Sequence, residues 1–185
     1  MKKIILASGS PRRRELLKKA GLTFEIHPSS YDEHLDSHIF SYKKIEELAY
    51  NKALAVKNEL NEGIIIGADT VVVHNNKILT KPTDREDAIR TLKELSGDKH
   101  SVVTGICVID TYTKKTKIKS VTTIVEFENL SDEKIENYVD NYKPFDKAGA
   151  YGIQELPSGF VKNVDGSLEN VIGLCTKTVI DMLNN

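Results

Sequence analysis

The 185-residue chain sets 26 lysines and arginines against 27 aspartates and glutamates, a net charge of −1 with a pI near 6.5, which excludes the broad basic face that nucleic-acid polymers select. At 39% hydrophobic and 29% charged residues the composition is that of an ordinary globular protein, and no apolar run approaches the ~20 residues of a membrane span. Two cysteines, Cys107 and Cys175, give neither a disulfide framework nor metal-ligand spacing, so a reduced cytoplasmic setting is expected.

Lys2, Lys3 and the apolar residues 4–7 are too short for a signal peptide. The length suits one core, or two lobes sharing one, with roughly 70% of the unfolded surface buried. With no repeat, low-complexity tract or linker, residues 1–185 read as a single domain.

Residues 4–7 have the all-apolar character of a strand buried on both faces. Ser8, Gly9 and Ser10 make a small-residue turn, Ser10 is a good N-cap, Pro11 suits the first helical position, and Gly21 suits the stop. Strand, turn and helix N-terminus together form an anion site, because the first N–H groups have no intrahelical partner and the dipole is positive there. Three arginines in the first turn run against that dipole, a cost that makes sense if an anion sits among them. At 100° per residue Arg13 falls on the face of Leu16, Leu17 and Ala20 and points inward, Arg14 points out, and Arg12 lies at the flank. The segment lacks the glycine and lysine spacing of a P-loop.

A second short strand is expected over residues 22–27. The polar stretch 29–41 carries Asp32, Glu33, His34, Asp36 and His38; their spacing is not that of a zinc motif, whereas one carboxylate reaching a hard cation would suit magnesium. Residues 43–60 form a helix with Ile45, Leu48, Ala49, Val56 and Leu60 on one face and Lys52 in mid-stripe. Such a lysine either snorkels to water or meets an anion in a cleft.

Residues 64–73 read as a buried strand interrupted by Asp69, which is expensive there unless paired or metal-bound. Asn75-Asn76 predicts a hairpin turn, and Thr83-Asp-Arg-Glu86 a capping box that opens a helix running to Gly97. Residues 101–110 and 116–127 predict a central hairpin, and Ser131 caps a helix carrying Ile135, Tyr138, Val139 and Tyr142. The glycine-punctuated stretch 144–154 suits a binding loop. A strand over 159–164, a turn at Asp165-Gly166 and a helix near 176–183 close the chain.

The stretches Leu6-Ala-Ser-Gly-Ser-Pro-Arg-Arg13, Gly67-Ala-Asp-Thr70, Leu79-Thr-Lys-Pro82, Leu95-Ser-Gly97, His100-Ser-Val-Val-Thr-Gly105, Asp146-Lys-Ala-Gly-Ala-Tyr-Gly-Ile-Gln154 and Asn170-Val-Ile-Gly-Leu174 run in order over nearly the whole chain. Together they resemble the Maf family of nucleotide pyrophosphatases. The resemblance implies an α/β fold of two lobes around a long mixed β-sheet, a central cleft and a homodimer. It implies metal-dependent hydrolysis of a nucleoside triphosphate to monophosphate and pyrophosphate, in nucleotide-pool house-cleaning. Arg12, Thr70 and Gln154 match the set that marks the branch acting on dTTP and UTP. Glu155 stands where the family usually has glycine, and Cys175 where proline often follows Gly-Leu.

Joined to the residue reading, this makes Arg13, Lys52 and Lys81 a triphosphate clamp, with donors from the Ser8 to Ser10 turn. Glu33 and Asp69 would hold magnesium or manganese, and Asp69 would take the proton of the attacking water. A nucleotidyltransferase, separable by a sugar-phosphate acceptor, and a nucleotide-binding regulator of cell division, separable by absent turnover, are the rival readings.

Overall fold

The computed structural model describes residues 2–32 and 38–184. In chain order these form β1 (Ile4–Leu6), α1 (Pro11–Lys19), β2 (Glu25–Ile26), α2 (Tyr42–Glu59), β3 (Ile64–His74), β4 (Lys77–Leu79) and α3 (Arg85–Leu95). Then come β5 (Lys99–Asp110), β6 (Lys115–Phe127), α4 (Asp132–Tyr142), a single 3-10 turn (Ala148–Ala150), β7 (Val161–Asp165), α5 (Leu168–Ile172) and α6 (Thr176–Asn184). The strands make one mixed sheet in the order β2-β1-β3-β5-β6-β7, with β4 also on β3. The α/β class and long mixed sheet expected from the sequence are therefore present.

β3 and β5 pair antiparallel from Ile64↔Asp110 to Val73↔Ser101, so the predicted strands at 64–73 and 101–110 are neighbours in mid-sheet. β5 and β6 form the predicted hairpin. Alternation along β3 sends Ile65, Gly67, Asp69 and Val71 to one face and Ile66, Ala68, Thr70 and Val72 to the other. α2 covers the first face: Ala49, Ala53 and Val56 pack with Ile65 and Cys107, and Ile45 and Leu48 with Val71 and Val103. The opposite face packs Leu16 and Leu17 of α1 and Val179 and Met182 of α6 at one end. At the other end Leu92 of α3, Tyr138 of α4 and Phe160 pack with Val72 and Val102.

Gly67 and Gly105 set how closely α2 approaches. A Cβ at Gly67 would collide with the Ala49 carbonyl oxygen, and one at Gly105 with that of Ile45. The helix backbone thus rests almost directly on the sheet, a contact that any side chain at either position would prise apart.

Several local expectations shift. The helix cap after β4 lies one residue later than the Thr83 box: Asp84 accepts from the Asp87 N–H, while Asp87 accepts from the Thr83 N–H at 3.0 Å. Ser10 occupies the N-cap position of α1 without a side-chain cap, its own N–H donating to Ser8 Oγ at 3.2 Å. Of the strand expected over 22–27 only Glu25 and Ile26 pair with β1. α5 was not anticipated; it is short, and its Asn170 is fully buried, donating to the carbonyls of Val102 and Val121 and to Thr123 Oγ1. The turn at Asn75 and Asn76 is present, both residues at positive φ.

Two buried histidines lend the fold a pH signature. His74 meets Glu94 at 2.9 Å and Asp98 at 3.0 Å. Burial opposes its charge, but the two carboxylates outweigh burial and raise its pKa above 6.5. That contribution is complete below pH 6.5 and is lost as pH rises through the raised native value. His100 is the opposite case: burial pushes it down to about 4, so protonation favours the unfolded chain as pH falls from 6.5. Urea midpoints should therefore show His74→Gln flattening the loss of stability above pH 6.5 while leaving the acid side in place. An unchanged alkaline slope in that variant would refute the assignment.

Candidate active site

β3 carries different neighbours along one edge. β1 pairs with Ile64 to Ile66 and β4 with Val72 to His74, so residues 67–71 lie between them without a strand on that side. A cavity of about 500 Å³ opens beside this gap, within the range of small-ligand sites. Ser8, Ser10, Arg12 and Arg13 reach it from the β1–α1 turn, and Lys52 from α2. Asp69 and Thr70 come from β3, Lys81 follows β4, and Gln154 comes from the loop after α4. Glu33, the remaining predicted site residue, lies outside the described residues.

Lys52 and Asp69 form the buried centre of this wall. Lys52 Nζ donates to Asp69 Oδ1 at 2.5 Å, with side chains only 11% and 9% exposed. The close seating of α2 makes the mid-stripe lysine face the carboxylate that interrupts β3. Lys52 does not snorkel, and the anion it meets is in the first instance Asp69.

Arg13 points inward as its helical phase predicts, but its guanidinium is engaged by the protein. Nη1 donates to Ser8 Oγ at 3.2 Å, Nη2 to Thr70 Oγ1 at 3.0 Å and Nε to the Gly173 carbonyl at 3.0 Å. Thr70 Oγ1 also lies 3.1 Å from the Gly173 carbonyl and 3.0 Å from Thr104 Oγ1. Arg13 thus ties α1, β3 and the turn after α5 together, which fixes the cavity floor. Arg12 spans the rim, its Nη1 3.8 Å from Asp146 Oδ2, whereas Lys81 and Gln154 are exposed at the edge.

Sequence reasoning assigned no role to Asp146, Lys147, Tyr151 or Gly173, all of which line the cavity. The signal for the first three was the glycine-punctuated stretch itself. The loop is pinned by Gly149 N–H to the Thr80 carbonyl at 3.2 Å, Gly152 N–H to Tyr138 Oη at 3.2 Å, and Tyr151 Oη against His100 Nε2 at 2.7 Å. Gly173 had no such signal, because it acts through its carbonyl.

Among the described residues the lining holds five cations, Arg12, Arg13, Lys52, Lys81 and Lys147, against two carboxylates, Asp69 and Asp146. A local excess of three positive charges on a chain of net charge −1 marks a site for a multiply charged anion. Among the described residues no group of three or more His, Cys, Asp and Glu side chains converges on a metal position. The donor chemistry present is a carboxylate amid cations. That fits a hard divalent ion which keeps several waters and takes its other ligands from phosphate oxygens.

Comparison with known proteins places the chain among relatives that it matches over nearly its whole length. The chain is 45% identical over 183 residues to a protein of Desulforamulus reducens, covering 99% of this chain and 96% of the relative. It is 44% identical over 183 residues to one of Pelotomaculum thermopropionicum, with the same coverage. It is 48% identical over 175 residues to one of Alkaliphilus oremlandii, covering 94% and 91%. Each of these relatives is named a dTTP/UTP pyrophosphatase. Residues 3–185 match the family model described as Maf-like protein, and the chain belongs to that family.

Proposed function

We propose that this protein is a nucleoside triphosphate pyrophosphatase that acts on dTTP and UTP and releases the monophosphate and pyrophosphate. The observation that carries the reading is the buried Lys52–Asp69 pair on the wall of a cation-rich cavity. The names of the relatives support the same chemistry.

In the reaction the oxygen of water bonds to the α-phosphorus, and the bond from that phosphorus to the α–β bridging oxygen breaks. The bridging oxygen leaves with pyrophosphate. Asp69 accepts the proton of the attacking water, and Lys52 holds that carboxylate in place. Lys81, at the rim, meets the phosphate chain, while Arg13 organises the floor through Ser8, Thr70 and Gly173. A magnesium or manganese ion, held by Asp69 and Glu33 together with substrate phosphate, would neutralise phosphate charge and lower the pKa of a bound water.

Uracil and thymine present a carbonyl, an N–H and a second carbonyl along the pairing edge. The Gln154 amide can accept from that N–H and donate to one carbonyl, with Arg12 donating to the other, while the Thr70 hydroxyl, which donates to the Gly173 carbonyl and accepts from Arg13, sets the floor beneath them. Purines reverse part of that order and leave a polar group unpaired, at ~1–3 kcal/mol each.

Asp69→Asn should cut turnover by ~10²–10⁴-fold in a protein that still folds, as loss of a general base does. Steady-state pyrophosphate release checks this, and activity within a few-fold of wild type removes Asp69 from the chemistry.

Lys52→Met should lose activity and also stability, by ~3–5 kcal/mol, because it leaves Asp69 as a buried unpaired charge. The double change Lys52→Met/Asp69→Leu should recover much of that stability in chemical denaturation while remaining inactive. A stable, active Lys52→Met protein would contradict the pairing argument.

On a panel of triphosphates with magnesium or manganese, dTTP and UTP should be hydrolysed well ahead of ATP and GTP. Gln154→Leu should narrow the gap by slowing the pyrimidines. Equal handling of ATP and UTP by the wild type would overturn the assignment of Arg12, Thr70 and Gln154.

A further inference from the structure

The five cations of the cavity differ in how firmly the protein holds them. Arg13 has three protein acceptors within 3.2 Å, and Lys52 faces a carboxylate as buried as itself. Lys147 is a third case. Its side chain is only 10% exposed, yet its partners are carboxylates that reach water: Asp146 Oδ1 at 2.8 Å, on a side chain 65% exposed, and Glu155 Oε2 at 3.3 Å, a buried oxygen on a side chain 41% exposed.

Neither hold is strong. Asp146 adjoins Lys147 in sequence, faces water, and is shared with Arg12. The Glu155 contact has the distance of an ion pair but not the geometry of a hydrogen bond, and Glu155 Oε2 has no hydrogen-bond partner among the described residues. An ion pair to an exposed carboxylate such as Asp146 is screened and contributes little. The mostly buried Lys147 side chain is therefore held by one screened carboxylate and by one buried oxygen that makes no hydrogen bond to it.

The rest of the side chain is well fixed. A Cβ at Gly152 would lie 2.8 Å from Lys147 Cε and 3.0 Å from Cδ, so the stem runs along bare glycine backbone. That backbone is anchored through Tyr138, His100 and Thr80. The stem is set and only the ammonium is loosely partnered, so the group is built to change partners without moving the loop.

We infer that Lys147 is an anion-binding residue of this site, which exchanges Asp146 and Glu155 for phosphate oxygens of the triphosphate chain. The inference rests on the reading of the cavity as a triphosphate site. Asp146 lies within reach of both Arg12 and Lys147, one from α1 and one from the loop, so its hold on Lys147 is divided and a phosphate oxygen can take its place. Glu155 competes with the ligand for Lys147 and weakens binding.

Inorganic pyrophosphate is the probe, titrated calorimetrically against the full chain with magnesium present, since this readout needs no turnover. Lys147→Met should weaken pyrophosphate at least tenfold, Lys147→Arg should restore most of the affinity, and Glu155→Gln should tighten it several-fold. On dTTP, Lys147→Met should lower kcat/KM by at least the same factor. Circular dichroism and the urea midpoint report whether each variant folds; if Lys147→Met does not, Lys147→Gln takes its place with the same expectation. Pyrophosphate affinity within twofold of wild type in a folded Lys147→Met or Lys147→Gln protein overturns the inference, and so does a Lys147→Arg variant as weak as Lys147→Met. Absence of turnover on every triphosphate by the wild type would overturn the proposed function alone, because the pyrophosphate titration still reads Lys147.

Discussion

The structure depends on how closely α2 lies on the sheet. Gly67 on β3 and Gly105 on β5 give the helix backbone no side chain to ride over, so the Ala49 and Ile45 carbonyls sit where Cβ atoms would otherwise stand. At that spacing Lys52 and Asp69 meet directly and leave water. Removing two charges from water is costly, and their mutual attraction offsets the cost only when the geometry is good. The pair is therefore poor grounds for stability and good grounds for function, because the surrounding apolar faces would pack at least as well around two hydrophobic residues.

The second constraint is the broken edge of β3. β1 stops after Leu6 and β4 begins opposite Val72, so the middle of the strand keeps one open side within an otherwise paired sheet. Asp69 and Thr70 lie on this stretch and project to opposite faces of the sheet, where each meets polar partners. Asp69 finds Lys52 on one face of the sheet; Thr70 finds Arg13, Thr104 and the Gly173 carbonyl on the other. The cavity inherits both sets, and with them its excess of cations.

Those cations are not equivalent. Arg13 acts as a structural tie whose three hydrogen bonds draw α1, β3 and the turn after α5 together. Lys52 belongs to the buried pair. Arg12, Lys81 and Lys147 retain the freedom to meet a ligand, and they come from three separate segments of the chain.

The sequence by itself determined the element pattern, because apolar periodicity, caps and turn residues act over a few positions. It placed the long strands at 64–73 and 101–110, the helix over 43–60, the helix opened by Ser131, and the Asn75-Asn76 turn close to where they lie. It also singled out Asp69 and Lys52, since a charge set in an apolar run or stripe is a local anomaly visible without a fold. What it lacked was their distance, which follows from two glycines on separate strands meeting one helix. It missed α5, whose five residues are too few to establish a period and whose Asn170 is buried among groups of β5 and β6. It did not show that Arg13 is held by the protein, because the acceptors at Thr70 and Gly173 are 57 and 160 positions away. It gave Lys147 no role, since the weakness of an ion pair depends on how exposed the partner carboxylates are. Local chemistry is written along the chain; which charges face one another, and how firmly, was decided by packing between segments far apart in it.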